Sequence, residues 1–570
     1  MPRNISASRP GKSEQVPPGY SIDPTITASF TVPTLASTTA KYLEIVQPHQ
    51  TKEEFGRTKK AAEEFASSDL GKELQRRLEA RAANNETGPN WLQIDPVVVF
   101  VSYFFVHVDD KLRRTPEKRA AALIRAMLPF RELVETQQLI PDKAVKYNPQ
   151  QNNHITFIRK NKFYTVDLDH EGVQLSTAEL ESQIKRVIDV AGTVEGPAIG
   201  ALTSENRDIW TDAREALLAV SPSNAEALRQ IESSVIIVAL DDSKPVTREA
   251  ISSAVWAGNA KNRFYDKHQF IVFDNGRSGF LGEHSCMDGT PTLRMNEFII
   301  SSVARGKVDH GSPSVRPNIP QPKEVTFKLD AKTNKYIIEA TEHYNELVAQ
   351  HSMDVLHYEG YGSSYIKKHK ISPDAWVQMV KQLAFHKLTQ RPSVVYESAQ
   401  TRKFQLGRTE VIRSTSNEAK AFVEAMEDPH ATDKHRSELL RRAAARHLQY
   451  AAWAADGQGV DRHLFGLKKL LREGEPTPSI YTDPAFSKTN HWELSTSQLS
   501  SPWFDGWGYG EVVPDGFGLS YAIGADYLRW TITTITGKGA ELKHYLAEAA
   551  TEIKRMTESA AHEAEVKARL

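Results

Sequence analysis

Cysteine is almost absent: the 570-residue chain holds one, Cys286. That excludes an internal disulfide framework and a cysteine-rich metal site, and it suits a reducing or peroxisome-like interior better than secretion. An excess of charge of either sign is missing too. Lys and Arg number 71 against 72 Asp and Glu, a formal net charge of −1, so the chain lacks the basic surplus of a nucleic-acid binder. Long hydrophobic runs are also lacking. The longest, Val97 to Val108, is interrupted by Ser102, Tyr103 and His107. It falls short of the roughly 20 apolar residues of a spanning helix, so it is expected to be a buried strand or helix, with membrane association at most peripheral. The stretch Met1 to Ser29 has no apolar core segment, which argues against a secretory signal. It is Pro/Ser-rich, carries Arg3, Arg9 and Lys12 before its first acid, Glu14, and reads as a disordered tail with a faint transit-peptide character.

What is present is a mixture of helical and strand patterns in a chain long enough for two to four domains. Helical periodicity runs from Leu35 to about Asn84 and from Arg114 to Gln138. The runs His154–Ile158 and Phe163–Leu168 flank Asn161-Lys162 as a hairpin, Thr177 is placed to cap a helix, and Ser234–Leu240 reads as a buried strand. A Pro/Ser/Asn-rich stretch, Gly311 to Pro322, reads as a linker. Beyond it the pattern predicts a strand (Val325–Leu329), helices over Lys332–Ser352, Pro373–Leu388 with Ser372 as N-cap, Asn417–Met426 and Asp433–Ala454, then strands over Trp492–Ser497, Tyr509–Val513 and Gly518–Ile523 and a terminal helix. No internal sequence repeat is visible. The class is α/β or α+β with a break near residue 320.

The most informative stretch is Asn262 to Gly289. Asn275-Gly276 predicts a type I′ hairpin turn, since both central residues of that turn need positive φ. The strand before it, Gln269–Phe273, is nearly all apolar. The strand after it delivers His284 to its end, with Asp288 four residues on. A histidine fixed at the end of a buried strand beside an acid suits a general base; a structural histidine satisfied by a backbone carbonyl is the competing reading. Cys286 is better read as a small buried residue than as a nucleophile.

Asn262-Arg263-Phe264-Tyr265-Asp266-Lys267, the hairpin, Glu283-His284 and Asp288-Gly289 together resemble the catalytic segment of the carnitine/choline acyltransferase family. Five further blocks are similar to that family: Tyr365 to Asp374, Tyr396-Glu397-Ser398 through Gly407-Arg408-Thr409, Asp461-Arg462-His463, Leu494-Ser495-Thr496-Ser497-Gln498, and Glu511-Val512-Val513-Pro514-Asp515-Gly516. The resemblance spans about residues 30 to 545. It implies two similar chloramphenicol-acetyltransferase-like domains, each a mixed sheet covered by helices, with an active-site tunnel between them. The corresponding organisation is a tail (1–30), a helical segment packing with the C-terminal domain (31–91), an N-terminal domain carrying the base (92–322) and a C-terminal domain (323–570). The implied activity is reversible transfer of an acetyl or other short acyl group between coenzyme A and the hydroxyl of carnitine. His284 is then the base, with Asp288 beside it, and Ser497 the oxyanion donor. Tyr396, Ser398, Thr409, Arg462, Ser495 and Tyr509 surround carnitine, and Trp507 fills the space a longer acyl chain would need. Lys367, Lys368, Lys370, Asp374, Glu397 and Gln498 hold coenzyme A, which is a co-substrate; no metal or prosthetic group is expected.

Choline as acceptor, a medium-chain carnitine enzyme and an inactive binding protein of the same fold are the alternatives. Against the family pattern the chain is short around Leu92–Asp95, Ala144–Tyr147 and Gly258–Asn262, and it has Asp288 where many members have Glu. Ala568-Arg569-Leu570 is a variant of the Ser-Lys-Leu address that a peroxisomal import receptor reads as a free, extended terminus. The expected compartment is the peroxisome, with the mitochondrion second.

Overall fold

The structure is a computed structural model that describes residues 31–83, 102–136 and 152–569, except Cys286, Arg402, Gln405 and Leu406. The expectations for the tail, for the first part of the apolar run from Val97, and for the short places at Leu92–Asp95 and Ala144–Tyr147 lie outside the described residues. Among those described, no helix is long and apolar enough to cross a membrane.

The chain opens with α1 (Leu35–Val46), α2 (Lys52–Ser67) and α3 (Asp69–Ala83). Then come β1 (Phe104–His107), α4 (Pro116–Glu135), β2 (His154–Arg159), β3 (Lys162–Asp167), the short pair β4 (Asp169–His170) and β5 (Val173–Gln174), α5 (Thr177–Ala191), α6 (Arg207–Val220) and α7 (Pro222–Ser233). These lead to β6 (Ile237–Asp241), α8 (Arg248–Trp256), β7 (Gln269–Phe273), β8 (Ser278–Leu281), α9 (Gly289–Ala304), β9 (Lys323–Val325) and α10 (Ala331–Gln350). The rest runs β10 (Ser352–Tyr358), α11 (Ser363–Lys368), α12 (Pro373–Thr389), β11 (Val395–Gln400), β12 (Thr409–Ile412), α13 (Asn417–Glu427), α14 (Asp433–Ala455), α15 (Asp461–Lys469), α16 (Ser479–Thr482) and α17 (Pro484–Asn490). It closes with β13 (Leu494–Gln498), β14 (Phe504–Gly508), β15 (Phe517–Ile523), β16 (Leu528–Thr534) and α18 (Gly539–Arg569).

Among the described residues two compact units result, one of residues 102–136, 152–353 and 501–509, the other of 31–83, 354–500 and 510–569. The break expected near residue 320 falls instead at 353/354. The reason is that β9 pairs with β3, and α10 buries Ile337, Ala340 and Tyr344 in the first unit's core. Residues 501–509 also leave the second unit, because β14 pairs antiparallel with β1. In the second unit α1–α3 share a core with α15 and α16 through Leu35, Phe65, Leu74, Leu464 and Tyr481.

Both units are built on mixed sheets. In the first the strand order is β14-β1-β8-β7-β6-β2-β3-β9, and in the second β10-β16-β15-β13-β11-β12. Without β14 and β9, the first order matches the second strand for strand. Each has three central parallel strands, β7, β6 and β2 or β15, β13 and β11, flanked by antiparallel partners. The chain is thus an internal duplication of architecture without a repeat of sequence.

Several local expectations change. The turn at Asn275-Gly276 is not type I′: only Gly276 has positive φ, and Phe273 bonds to Arg277 across a three-residue loop. Asn275 spends its side chain on Pro245 O and the amide of Arg277. The two-residue turn with both φ positive lies instead at Lys160-Asn161, one residue before the expected Asn161-Lys162. Gly258, Ala260 and Asn262 are all left-handed, so the shortened segment there closes as a tight turn. Ser176, not Thr177, caps α5, in a capping box with Glu179. Ser372 sits at the N-cap of α12 without a side-chain cap bond. No strand forms at Tyr509–Val513; the strand is β14, five residues earlier, where β1 provides an edge.

Candidate functional site

In the first unit the motif that precedes the hairpin is a structural knot. Arg263, 1% exposed, donates to both carboxylate oxygens of Asp241 at the end of β6, at 3.2 and 2.8 Å, and to Ala254 O. Asn262 exchanges backbone-to-side-chain bonds with Asn161 in both directions, each 2.9 Å, and its amide also reaches Asp241. Tyr265 N donates to Thr203, Asp266 accepts from Arg207 and Trp210, and Lys267 donates to the carbonyls of Glu232 and Ser234. A buried Arg–Asp pair of this kind leaves an uncompensated charge if one partner is removed, at a cost of about 3–5 kcal/mol. The motif therefore fixes the entry of β7 and, through the hairpin, where β8 ends.

His284 lies three residues beyond β8, with about a quarter of its side chain exposed. Its Nδ1 is 3.1 Å from Met287 O. A carbonyl only accepts, so Nδ1 carries the proton and the neutral ring keeps its lone pair on Nε2. The Asp288 carboxylate stands 3.7 Å from the same Nδ1. That is beyond a hydrogen bond but close enough to favour an imidazolium. Asp288 is also the N-cap residue of α9, although its side chain does not cap. Neighbouring His268 is half-buried, accepts from Glu283 N at 3.0 Å and is held near pKa 4 by loss of solvation and by Lys267, so it brings no competing positive charge. Trp507 of β14 is buried opposite Phe105 of β1, with the ring of Tyr509 at 5.6 Å.

In the second unit β13 separates its side chains cleanly. Ser495 and Ser497 project to one face and Thr496 to the other, as strand geometry requires. Register places Tyr396 beside Ser495, Ser398 and Thr409 two steps along β11 and β12, and Ser520, Thr531 and Thr533 across β15 and β16 on the Ser497 face. The opposite face carries Val395, Leu494, Leu519, Trp530 and Ile532, packed on α12, α14 and α18. One sheet face is thus apolar and helix-covered, and the other is lined with hydroxyls. Five residues expected from two separate sequence blocks, Tyr396, Ser398, Thr409, Ser495 and Ser497, meet on it. Arg462, in the first turn of α15, joins them by donating to Thr409 O at 3.2 Å and Thr409 Oγ1 at 3.3 Å. Asp461 does not claim Arg462, because it is paired with buried Arg413. Glu410, buried behind Thr409, is pushed up to about 8 by burial and by Asp461.

Glu397, expected with the cofactor set, points away from Tyr396 and Ser398 into the apolar side, 3% exposed. There Tyr521 Oη lies 2.5 Å from Glu397 and 2.6 Å from Asp374. One phenol proton cannot serve both, so one carboxyl supplies the other. Burial, then Asp374, raises Glu397; Asp374 is drawn down against its own burial by the 3.2 Å contact of His447. The two acids are thus pushed apart, Glu397 toward holding a proton and Asp374 toward losing it. Lys381 sits 3.5 Å over the Tyr521 ring, lowered to about 7 by burial despite Glu397 and Asp374. Asp374, Glu397 and His447 offer three ligand-type atoms within 4.8 Å, the grouping of described residues most able to hold a metal. The phenol bridging the two acids and the lysine above it make the cluster a proton-sharing core. Lys367 and Lys368, at the end of α11, and Lys370, left-handed at φ 57, are exposed just ahead of α12 and Asp374. Gln498 is exposed and donates to Ser500 at 2.6 Å.

The model of the family described as choline/carnitine O-acyltransferase matches residues 30–151 and 140–548. The chain belongs to that family. It is 34% identical to the mitochondrial carnitine O-acetyltransferase of Saccharomyces cerevisiae over 92% of this chain and 87% of the yeast one. It is 29% identical to the Columba livia carnitine O-acetyltransferase (97% and 96% covered) and 29% identical to the Mus musculus choline O-acetyltransferase (89% and 88%). This family member is an acyltransferase.

Sequence reasoning missed the partners that hold the acyltransferase's motif residues in place. Asp241, Gln378, Lys381, His447 and Tyr521 each sit in an otherwise ordinary strand or helix pattern, and only Tyr103, as a polar break in an apolar run, left a trace.

Proposed function

We propose that the chain is a carnitine O-acetyltransferase that moves an acetyl group reversibly between coenzyme A and carnitine. The observation that carries this reading is the hydroxyl-lined sheet face with Arg462 at its edge, which suits an acceptor bearing both a hydroxyl and a carboxylate. His284 Nε2 removes the carnitine hydroxyl proton. The oxygen attacks the thioester carbonyl, and Ser497 donates to the oxygen that becomes negative. Collapse of the tetrahedral species breaks the C–S bond, and the thiolate of coenzyme A takes the proton back from His284. Asp288 stabilises the transient imidazolium. Arg462, Thr409, Tyr396 and Ser495 hold the acceptor's carboxylate, Ser398 supports that set, and Tyr509 meets the trimethylammonium group.

Lys367, Lys368 and Lys370 attract the phosphates of coenzyme A, Asp374 flanks the nucleotide and Gln498 the pantetheine arm. Glu397 acts through its proton-sharing core instead of touching the cofactor. The peroxisome is the first option for its location, through the address-like Ala568-Arg569-Leu570. A mitochondrial location is the second option. The acceptor is tested by thiol release from acetyl-CoA with Arg462→Ala. The KM for carnitine is expected to rise roughly 10- to 100-fold, with residual choline turnover unchanged. An unaltered carnitine KM removes the assignment.

A further inference from the structure

The loop from Gly282 to Asp288 is held by a residue outside every motif. Tyr103, 3% exposed, precedes β1 and touches that loop at four points. Its carbonyl accepts from Gly282 N at 2.8 Å, extending the β1–β8 ladder by one step. Its ring fills the space above Gly282, where an added Cβ would come within 2.5 Å of Cε2 and 2.6 Å of Cζ. The same ring meets His284 edge-on, with centroids 5.0 Å apart and an interplanar angle of 83°. Its hydroxyl donates to Asp288 O at 3.2 Å and accepts from Thr292 Oγ1 at 2.8 Å.

Thr292 is itself anchored. Its carbonyl accepts from Asn296, whose amide oxygen takes the Nε2 proton of buried His107, and His107 Nδ1 accepts from Ser278 Oγ, to which Arg119 also donates. His107 stays neutral, held down to about 3 by burial and by Arg119, so this chain keeps one direction of donation across the working pH range.

We infer that Tyr103 is a positioning residue for the base. It fixes the peptide next to Met287 O and packs on the imidazole, and so keeps Nδ1 donating to Met287 O and Nε2 as the proton acceptor. The inference rests on the reading of His284 as base. Removing the hydroxyl leaves the ring in place but lets the 287–288 peptides move, so a fraction of the imidazole no longer presents Nε2. Misplacement on this scale costs on the order of 10- to 100-fold in rate.

The test uses the full chain and compares Tyr103→Phe, Gly282→Ala and His284→Ala. Tyr103→Phe should lower kcat roughly 10-fold or more, while the KM values for acetyl-CoA and carnitine change less than about twofold, and it should shift the acid limb of the kcat–pH profile. Gly282→Ala, which displaces the ring by its new methyl, should repeat the kcat loss. Carbethoxylation of His284 by diethyl pyrocarbonate, followed by peptide mass spectrometry, reads the nucleophilicity of Nε2 without turnover and should slow in both variants. If His284→Ala is inactive while Tyr103→Phe and Gly282→Ala keep wild-type kcat and modification rates, the positioning role is overturned and the base assignment stands. If His284→Ala keeps its activity, the base assignment itself fails. A Tyr103→Phe protein with lowered thermal stability, unchanged pH profile and unchanged modification rate also overturns the inference, because Tyr103 is then only a packing residue.

Discussion

Strands β6 and β13 occupy the same place in their sheets, each parallel on both sides and each reached by a helix-rich crossover that follows the hairpin β2–β3 or β11–β12 beside it. β6 reads Ile237-Val238-Ala239-Leu240-Asp241 and is buried throughout. β13 reads Leu494-Ser495-Thr496-Ser497-Gln498 and turns half-exposed at Ser497. The same contrast recurs beyond the sheet's antiparallel partner. Between β8 and α9 the first unit places His284, and between β16 and α18 the second places Thr536-Gly537-Lys538. The two units share one architecture and differ in side chains: the second has a hydroxyl-rich central strand and no histidine in the corresponding loop, and the first has a histidine in that loop and an apolar central strand. Under the proposed function the chemistry falls where the two units differ, and the shared positions carry the fold.

The sharpest way to break this comparison is on β13 itself. Ser497→Ala should reduce kcat about 100- to 1,000-fold with little change in thermal midpoint, as for loss of one oxyanion donor. Thr496→Val, on the opposite face, should lower the midpoint by removing the acceptor of the 3.2 Å bond from Gln378 and leave kcat near wild type. Equal kcat losses would mean that the two faces are not functionally distinct. Next in size is β14, a strand only the first sheet possesses. Trp507→Gly should raise turnover of medium-chain acyl-CoA roughly tenfold relative to acetyl-CoA, the scale of methylene discrimination in an apolar pocket. Unchanged selectivity would remove the ring as a length gauge.

The smallest effect concerns β12, which carries a buried acid where the buried part of its counterpart β3, Phe163–Val166, has none. Glu410 titrates at about 8 in the folded protein against an ordinary 4.5. The folded state keeps a proton that the unfolded chain releases, so the stability gained is full below pH 4.5 and is lost as pH rises through 8. The thermal midpoint of the native chain minus that of Glu410→Gln should therefore fall from pH 5 to about 8 and level off above it. A constant difference would show that Glu410 ionises normally.

How much of this was legible in the sequence follows from where each residue's partners lie. The His284 hairpin announced itself because its signals are local, a Gly turn between two short apolar runs. The hydroxyls of β13 and the Tyr396-Glu397-Ser398 alternation were visible for the same reason, although the side to which Glu397 points was not. That depends on Tyr521 and His447, which join it from 124 and 50 residues farther along. The break at 320 was misplaced because a Pro-rich stretch resembles a boundary, yet β9 and α10 beyond it still serve the first core. The duplication left no trace, since β6 and β13 share no residue pattern and only their neighbours reveal the likeness. Tyr103 was noticed as an interruption and never as a clamp, because Gly282 and Thr292 come about 180 residues later.

Strand β14 has one more consequence. The first sheet needs it along the edge of β1, yet it is made after β13, some 400 residues downstream of β1. While the chain is still emerging from the ribosome, β1 therefore presents unpaired amides and carbonyls for most of the synthesis time, and any neighbouring nascent chain can dock there. A message truncated before codon 504 yields a first half that can bury its core but cannot seal that border. Such a product belongs with chaperones and proteases, however well its remaining strands have formed.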